Sequence, residues 1–98
     1  AGIAATTVVQ VGANATEGLD TLRGLLGDKA AVLFSPRGSG WELTLYWHGE
    51  RSTFEAGEAH RILAEGLAAA NIGARTEPYT RPATLEEAYL AMAEGLKR

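Results

Sequence analysis

Residues 29–48 read KAAVLFSPRGSGWELTLYWH, two apolar runs joined by a turn. The second run alternates with a period of two, which is typical of a strand with one buried face. One face carries Trp41, Leu43, Leu45 and Trp47, and the other carries Glu42, Thr44, Tyr46 and His48. A proline and two glycines between Ser35 and Gly40 allow the chain to reverse. The stretch therefore predicts a β-hairpin with one face packed on a core.

A strand and a helix are predicted before the hairpin. Ala5 to Val11 is rich in β-branched residues, which favour the extended conformation. A helical stripe of leucines follows and stops at Gly27-Asp28. The stripe consists of Leu19, Leu22 and Leu26, with Leu25 beside it.

A second helix is predicted after the hairpin, from Ser52 to about Ala70. Its apolar face consists of Ala56, Ala59, Leu63, Leu67 and Ala70. Gly73 is expected in the left-handed position after this helix, with Ile72 folded back onto it. Ala74 to Thr80 is the fourth strand, and Pro78 places it at an edge of the sheet.

A third helix is predicted over Thr84 to Leu96, with an apolar stripe of Leu85, Tyr89, Met92 and Leu96. Each of the three helices is preceded by a capping-box pattern, in which a polar side chain caps the first turn and a glutamate follows three residues later. The pairs are Asn14 with Glu17, Ser52 with Glu55, and Thr84 with Glu87.

The element order β-α-β-β-α-β predicts an α+β fold, the ferredoxin-like sandwich, with an additional C-terminal helix. The first and third strands would be central and parallel, the other two would be edges, and both core helices would cover one sheet face. We interpret residues 1–98 as a single domain with a core at about 5–80 and an appended helix at about 84–96. The additional helix packs on this sheet or on a partner.

Composition limits the chemistry that the chain can perform. The 98 residues include no cysteine, which excludes disulfides and thiolate ligands. The net charge is −3 and the Lys and Arg residues are dispersed, which argues against binding of nucleic acid. No run of apolar residues is long enough to insert into a membrane. No phosphate loop is present, and His48 and His60 are interpreted as surface histidines. We predict no enzyme activity, no catalytic, cofactor-binding or metal-binding residue, and no cofactor.

The run Arg81-Pro82-Ala83-Thr84-Leu85-Glu86-Glu87-Ala88-Tyr89-Leu90-Ala91-Met92 is similar to the C-terminal end of ATP-binding subunits of ABC-2-type exporters, the drug- and antibiotic-resistance class. Ala70-Asn71-Ile72-Gly73-Ala74 also resembles the end of the second helix in the accessory domain of that family. The resemblance implies a non-catalytic accessory domain. The ATPase core, which binds nucleotide, would precede residue 1.

The function expected from this resemblance is regulation through protein–protein contacts. The partners would be the ATPase core or the dimer mate of the parent protein, with the membrane subunits contacted indirectly. The predicted interface is the open sheet face with Glu42, Thr44 and Tyr46, together with the exposed side of the last helix. The chain would be a cytoplasmic fragment of a longer protein, associated with the membrane through a transporter complex. The alternative is a free-standing ferredoxin-like module that binds a small ligand or forms a regulatory homodimer, and a small enzyme ranks last.

Overall fold

The computed structural model describes residues 2–82, which form an α+β arrangement of one sheet and two α-helices. The strands are β1 (Ile3–Val11), β2 (Ala30–Arg37), β3 (Gly40–His48) and β4 (Tyr79–Pro82), and the helices are α1 (Leu19–Leu26) and α2 (Ala56–Ala69). Short 3-10 helices at Ala13–Gly18 and Arg51–Thr53 precede α1 and α2. The predicted last helix at 84–96 and its capping pair lie outside the described residues.

The four strands form one antiparallel sheet in the order β2-β3-β1-β4. The predicted positions are confirmed, because β1 and β3 are central and β2 and β4 are edges. The predicted direction was wrong, since β1 and β3 are antiparallel neighbours. The helix between β1 and β2 returns the chain to the end of the sheet where β1 began, so β1 and β2 point in the same direction. The hairpin then reverses the chain, so β3 is antiparallel to both.

The core lies between one face of the sheet and the two helices, as the alternation in the hairpin predicted. Leu43 and Leu45 are 0% exposed and belong to the same buried cluster as Leu22 of α1 and Leu63 of α2. Trp47 is also buried, whereas Trp41 is half-buried and stacks on Phe34 with ring centroids 5.6 Å apart. Neither of the two α-helices within residues 2–82 is long and apolar enough to cross a bilayer.

The hairpin turn is shorter than the sequence suggested. Arg37 pairs with Gly40, so only Gly38 and Ser39 lie between the strands. Gly38 has φ of 59°, a left-handed conformation that glycine adopts without strain. Two-residue turns of this kind match the twist of the flanking strands, so pairing continues up to the turn. Pro36 is tolerated within β2 because β2 is an edge strand.

The helix starts differ from the predicted capping boxes. The residues before α1 and α2 are Gly18 and Glu55, and neither makes a side-chain capping hydrogen bond. The predicted caps at Asn14 and Ser52 were wrong because each of these residues lies within a 3-10 turn that leads into the helix. Backbone bonds replace the side chains there: Ala15 N donates to Gly12 O at 3.1 Å, and Thr53 N donates to Glu50 O at 3.2 Å.

The fourth strand begins later than predicted. Ala74 forms a single bridge with Val11, and the regular strand starts only at Tyr79, after Pro78. Arg75 N donates to Gln10 O at 2.7 Å between these two points of contact. Because Pro78 has no N–H to donate, continuous pairing begins after it, and β4 is an edge strand as predicted.

The C-terminus of α2 is a Schellman motif built on Asn71. Ile72 N donates to Leu67 O at 2.9 Å and Asn71 N donates to Ala68 O at 3.2 Å, the two bonds that define the motif. Asn71 has φ of 59°, so it occupies the left-handed position that the sequence assigned to Gly73. Ile72 is 6% exposed and folds back on the helix as predicted.

Replacing Asn71 with alanine is expected to lower the free energy of unfolding by about 1 kcal/mol, because a side chain with a Cβ resists the left-handed region and alanine lacks the polar group that helps asparagine tolerate it. Asn71→Gly should be neutral or slightly stabilising. Gly73→Ala is the matched control: its added Cβ meets nothing within 4 Å, so little change is expected. Urea unfolding curves of the three variants measure the order, and a larger loss at Gly73 than at Asn71 would contradict the assignment.

Candidate functional site

The sheet face away from the helices, called here the outer sheet face, contains all three residues of the predicted interface. The strand register places the side chains in alternation on the two faces. The outer sheet face consists of Thr6, Val8 and Gln10 of β1, Ala31 and Leu33 of β2, Glu42, Thr44 and Tyr46 of β3, and Tyr79 and Arg81 of β4.

The predicted interface residues differ in how much surface they offer. Glu42 and Thr44 are half-buried, and Glu42 lies 3.8 Å from the guanidinium of Arg37 in an ion pair near the hairpin turn. Tyr46 is only 7% exposed. The structure therefore brings the three residues together on one strand face, with the accessible part at the Glu42 end. Whether a partner binds there stays a prediction.

A chain of hydrogen bonds runs from the core face of the sheet to α2. Trp47 Nε1 donates to Thr7 Oγ1 at 2.7 Å, and Thr7 Oγ1 lies 2.7 Å from Thr80 Oγ1. Thr80 Oγ1 in turn lies 2.5 Å from His60 Nε2. Thr7 and Trp47 are both nearly inaccessible to solvent, so the Thr7 hydroxyl satisfies an indole N–H that water cannot reach. The chain ties edge strand β4 and helix α2 to the central strands.

Replacing Thr7 with valine is expected to lower the free energy of unfolding by about 2 kcal/mol, because the Trp47 N–H then stays buried without an acceptor. Chemical denaturation gives the value. Trp47→Phe and the double variant complete a cycle in which the double change should cost less than the sum of the single changes, since phenylalanine removes the unsatisfied donor. Additive losses would contradict a hydrogen bond between the two side chains.

Within residues 2–82, the histidine and serine side chains do not come together in a catalytic arrangement. His48 is exposed at the end of β3, and the half-buried His60 is bonded to Thr80. Ser39 Oγ accepts a hydrogen bond from Arg75 at 3.1 Å in the hairpin turn. Among residues 2–82, no group of three or more His, Asp or Glu side chains is arranged to hold a metal ion.

A cleft at the end of the sheet, called here the end cleft, has a volume of about 320 Å³. Its apolar wall includes Trp47, Phe54 and Ile62, and Trp47 packs on Phe54 with ring centroids 6.4 Å apart. Charged side chains at the rim include Lys29 and Glu55. Aromatic walls with a few charged groups at the rim are typical of small-ligand sites.

The acidic side chains of α2 are held by an arginine on the helix surface. Arg61 Nε donates to Glu58 Oε2 at 3.1 Å and Arg61 Nη1 donates to Glu65 Oε1 at 2.8 Å. These spacings are three and four residues, as expected for neighbours on one helix face. The hydrogen bonds from Arg61 lower the pKa of Glu58 and raise the pKa of Arg61. A lowered pKa keeps Glu58 ionised at neutral pH and opposes a role as a proton donor there.

The comparisons with known proteins assign no family. No family model matches the chain, and no curated protein matches it. The similarity of residues 81–92 to exporter subunits therefore stays an expectation from the sequence alone.

The sequence did not indicate the end cleft or the threonine chain. The cleft is built from side chains far apart in the chain, from Ala4 to Ile62, and no local pattern joins them. A buried hydrogen bond of Thr7 could have been predicted, because a threonine hydroxyl on the core face of a valine-rich strand needs a buried partner. The alternation in β3 placed Trp47 on that same face, and only the strand register brought the two side chains together.

Proposed function

We propose that the chain is a non-catalytic accessory domain of an ABC-type exporter ATP-binding subunit, acting through protein–protein contacts. The observation that carries the proposal is the sequence of residues 81–92, which begins within edge strand β4. The strand order β2-β3-β1-β4 is compatible with the ferredoxin-like plan that the order of elements in the sequence predicts. The partner is the ATPase core or the dimer mate, at the cytoplasmic side of a transporter complex.

The contact surface proposed for this partner is the accessible end of the outer sheet face, around Glu42 and Thr44. Both residues are half-buried, so a bound partner would remove apolar and polar area together, as protein interfaces do. Regulation would then follow from the position of this domain against the ATPase core.

The first test is the reading frame that encodes this segment. A phosphate loop upstream supports the proposal, and a start codon directly before residue 1 overturns it. The second test is calorimetric titration of the chain with that ATPase core. Glu42→Lys is expected to weaken binding at least tenfold because it reverses a charge at the contact. Thr53→Lys, in the exposed 3-10 helix before α2, is the matched control and should leave the affinity unchanged.

A second candidate function is the binding of a small ligand in the end cleft, by a free-standing ferredoxin-like module. The volume of about 320 Å³ and the aromatic pair Trp47 and Phe54 favour it. A thermal-shift screen with nucleotides and metabolites tests this function. A shift that Lys29→Ala abolishes and Arg37→Ala retains would support ligand binding, because Lys29 lines the cleft and Arg37 lies at the hairpin turn.

A further inference from the structure

The outer sheet face is most deeply buried along one cross-strand row. The register places Arg81, Thr6, Tyr46 and Ala31 side by side across the four strands. Thr6 is 0% exposed and Tyr46 is 7% exposed, although both point away from the helices. In the next row, Tyr79 is 65% exposed. Burial is therefore concentrated at the row beside Pro82, the last described residue of β4.

The helices do not account for this burial. Within residues 2–82, α1 and α2 pack on the opposite face, against Val9, Leu43 and Leu45. The Thr6 hydroxyl oxygen is shut off from solvent and has no hydrogen-bond partner in this part of the chain. On an uncovered sheet face this oxygen would be hydrated, so its seclusion indicates an apolar cover at this place.

We propose that residues 84–96 are that cover, docking on the outer sheet face of the same chain. Their apolar stripe consists of Leu85, Tyr89, Met92 and Leu96. Its counterpart on the sheet is the apolar group Val8, Ala31, Leu33 and Tyr46. Two complementary apolar surfaces joined by a short connection meet with a high effective concentration.

The length of the segment fits the size of the face. As a helix, residues 84–96 span about 20 Å at 1.5 Å per residue. Four strands about 4.8 Å apart span about 14 Å from the first to the last. Only Ala83 separates Pro82 from the segment, so the segment starts next to the buried row of Thr6 and Tyr46. A single helix therefore reaches across the face without a long linker.

This docking makes the domain three layers, with helices on both sides of the sheet. It covers Tyr46 and reduces the accessible surface around Thr44, which lies between Val8 and Leu33 in the register. Glu42 and the polar side of the segment are left for contact with other proteins. The inference rests on the burial of the sheet residues and does not depend on the proposed function.

Met92 provides a direct test, because it is the single methionine of the chain. A sample of the whole chain labelled with ¹³C at the methionine methyl group should give nuclear Overhauser contacts from Met92 to at least one of Thr6, Val8, Leu33 and Tyr46. The absence of contacts to all four residues overturns the proposal. Contacts that arise only between labelled and unlabelled copies in a mixed sample also overturn it, because they show that a second chain is the occupant.

A matched pair of leucine substitutions gives an independent measurement. Leu85→Ala removes a stripe residue and is expected to raise the equilibrium constant of unfolding roughly 30-fold or more. Leu90→Ala removes the same number of atoms from the other side of the predicted helix and is expected to change it less than about threefold. Equal effects of the two substitutions would overturn the proposed docking face. The methyl contacts of Met92 in each folded variant show whether the segment stays docked.

Discussion

Replacing Leu63 with alanine is expected to lower the free energy of unfolding by about 3 kcal/mol. Leu63 lies in the middle of α2, is 0% exposed, and belongs to the cluster that includes Leu22 and Leu43. The substitution removes buried apolar area and leaves a cavity where the helices meet the sheet, and both effects favour the unfolded chain. Urea denaturation followed by tryptophan fluorescence measures the change, since Trp47 is buried and Trp41 is half-buried in the folded state.

Leu25→Ala is the control for this prediction, because it is the same chemical change on the neighbouring helix. Leu25 is 50% exposed, so it loses much less apolar contact on truncation. We expect a change below about 1 kcal/mol. If the two substitutions cost the same, the assignment of buried and exposed sides to α1 and α2 would be wrong.

The hairpin could be predicted from the sequence because its signal is local and redundant. Alternation in residues 41–48 assigns each side chain to a face, and burial of Leu43, Leu45 and Trp47 confirms the assignment. The leucine stripe of α1 was also predicted correctly, since Leu22 and Leu26 are buried. Leu25, which the pattern placed beside the stripe, is 50% exposed. A stripe fixes which side of a helix is apolar but leaves the width of the covered surface open.

The helix starts could not be predicted from local patterns, but the strand directions could. The predicted helix between β1 and β2 and the hairpin after it already make β3 antiparallel to β1, so the parallel assignment was inconsistent with the predicted connections. The sequences at Asn14 and Ser52 satisfy the capping-box pattern, yet backbone bonds of 3-10 turns take the place of those side chains. Asn71 and Gly73 both tolerate the left-handed region, and only the end of α2 decides between them.

How much of the predicted interface is accessible depends on the burial of its residues, which the alternation of side chains along a strand does not predict. Alternation correctly placed Glu42, Thr44 and Tyr46 on one face of β3. It treated the face as uniformly open, whereas Tyr46 is 7% exposed and lies beside the fully buried Thr6. What covers a sheet face is a tertiary property, and here it determines how much of the interface is available to a partner.

Gly18, the residue directly before α1, is required by packing. A Cβ built on Gly18 would lie 2.3 Å from the carbonyl oxygen of Ala70 and 3.0 Å from Cγ1 of Ile72. Both residues belong to the C-terminal turn of α2, so the start of α1 approaches that turn through the space of the missing side chain. Gly18 is the N-cap of α1, where helix propensity does not penalise glycine, whereas Gly24 lies inside the helix and costs about 1 kcal/mol relative to alanine.

Gly18→Ala is expected to lower the free energy of unfolding by about 3 kcal/mol, because a carbonyl oxygen of the backbone cannot yield as a flexible side chain does. Gly24→Ala is the matched control within α1: its added Cβ meets nothing within 4 Å, and we expect a gain of about 1 kcal/mol from propensity. Thermal and urea unfolding of the two variants should therefore shift in opposite directions. Stabilisation by both would show that α1 does not approach Ala70 in the folded chain, and the packing of the two helices would need revision.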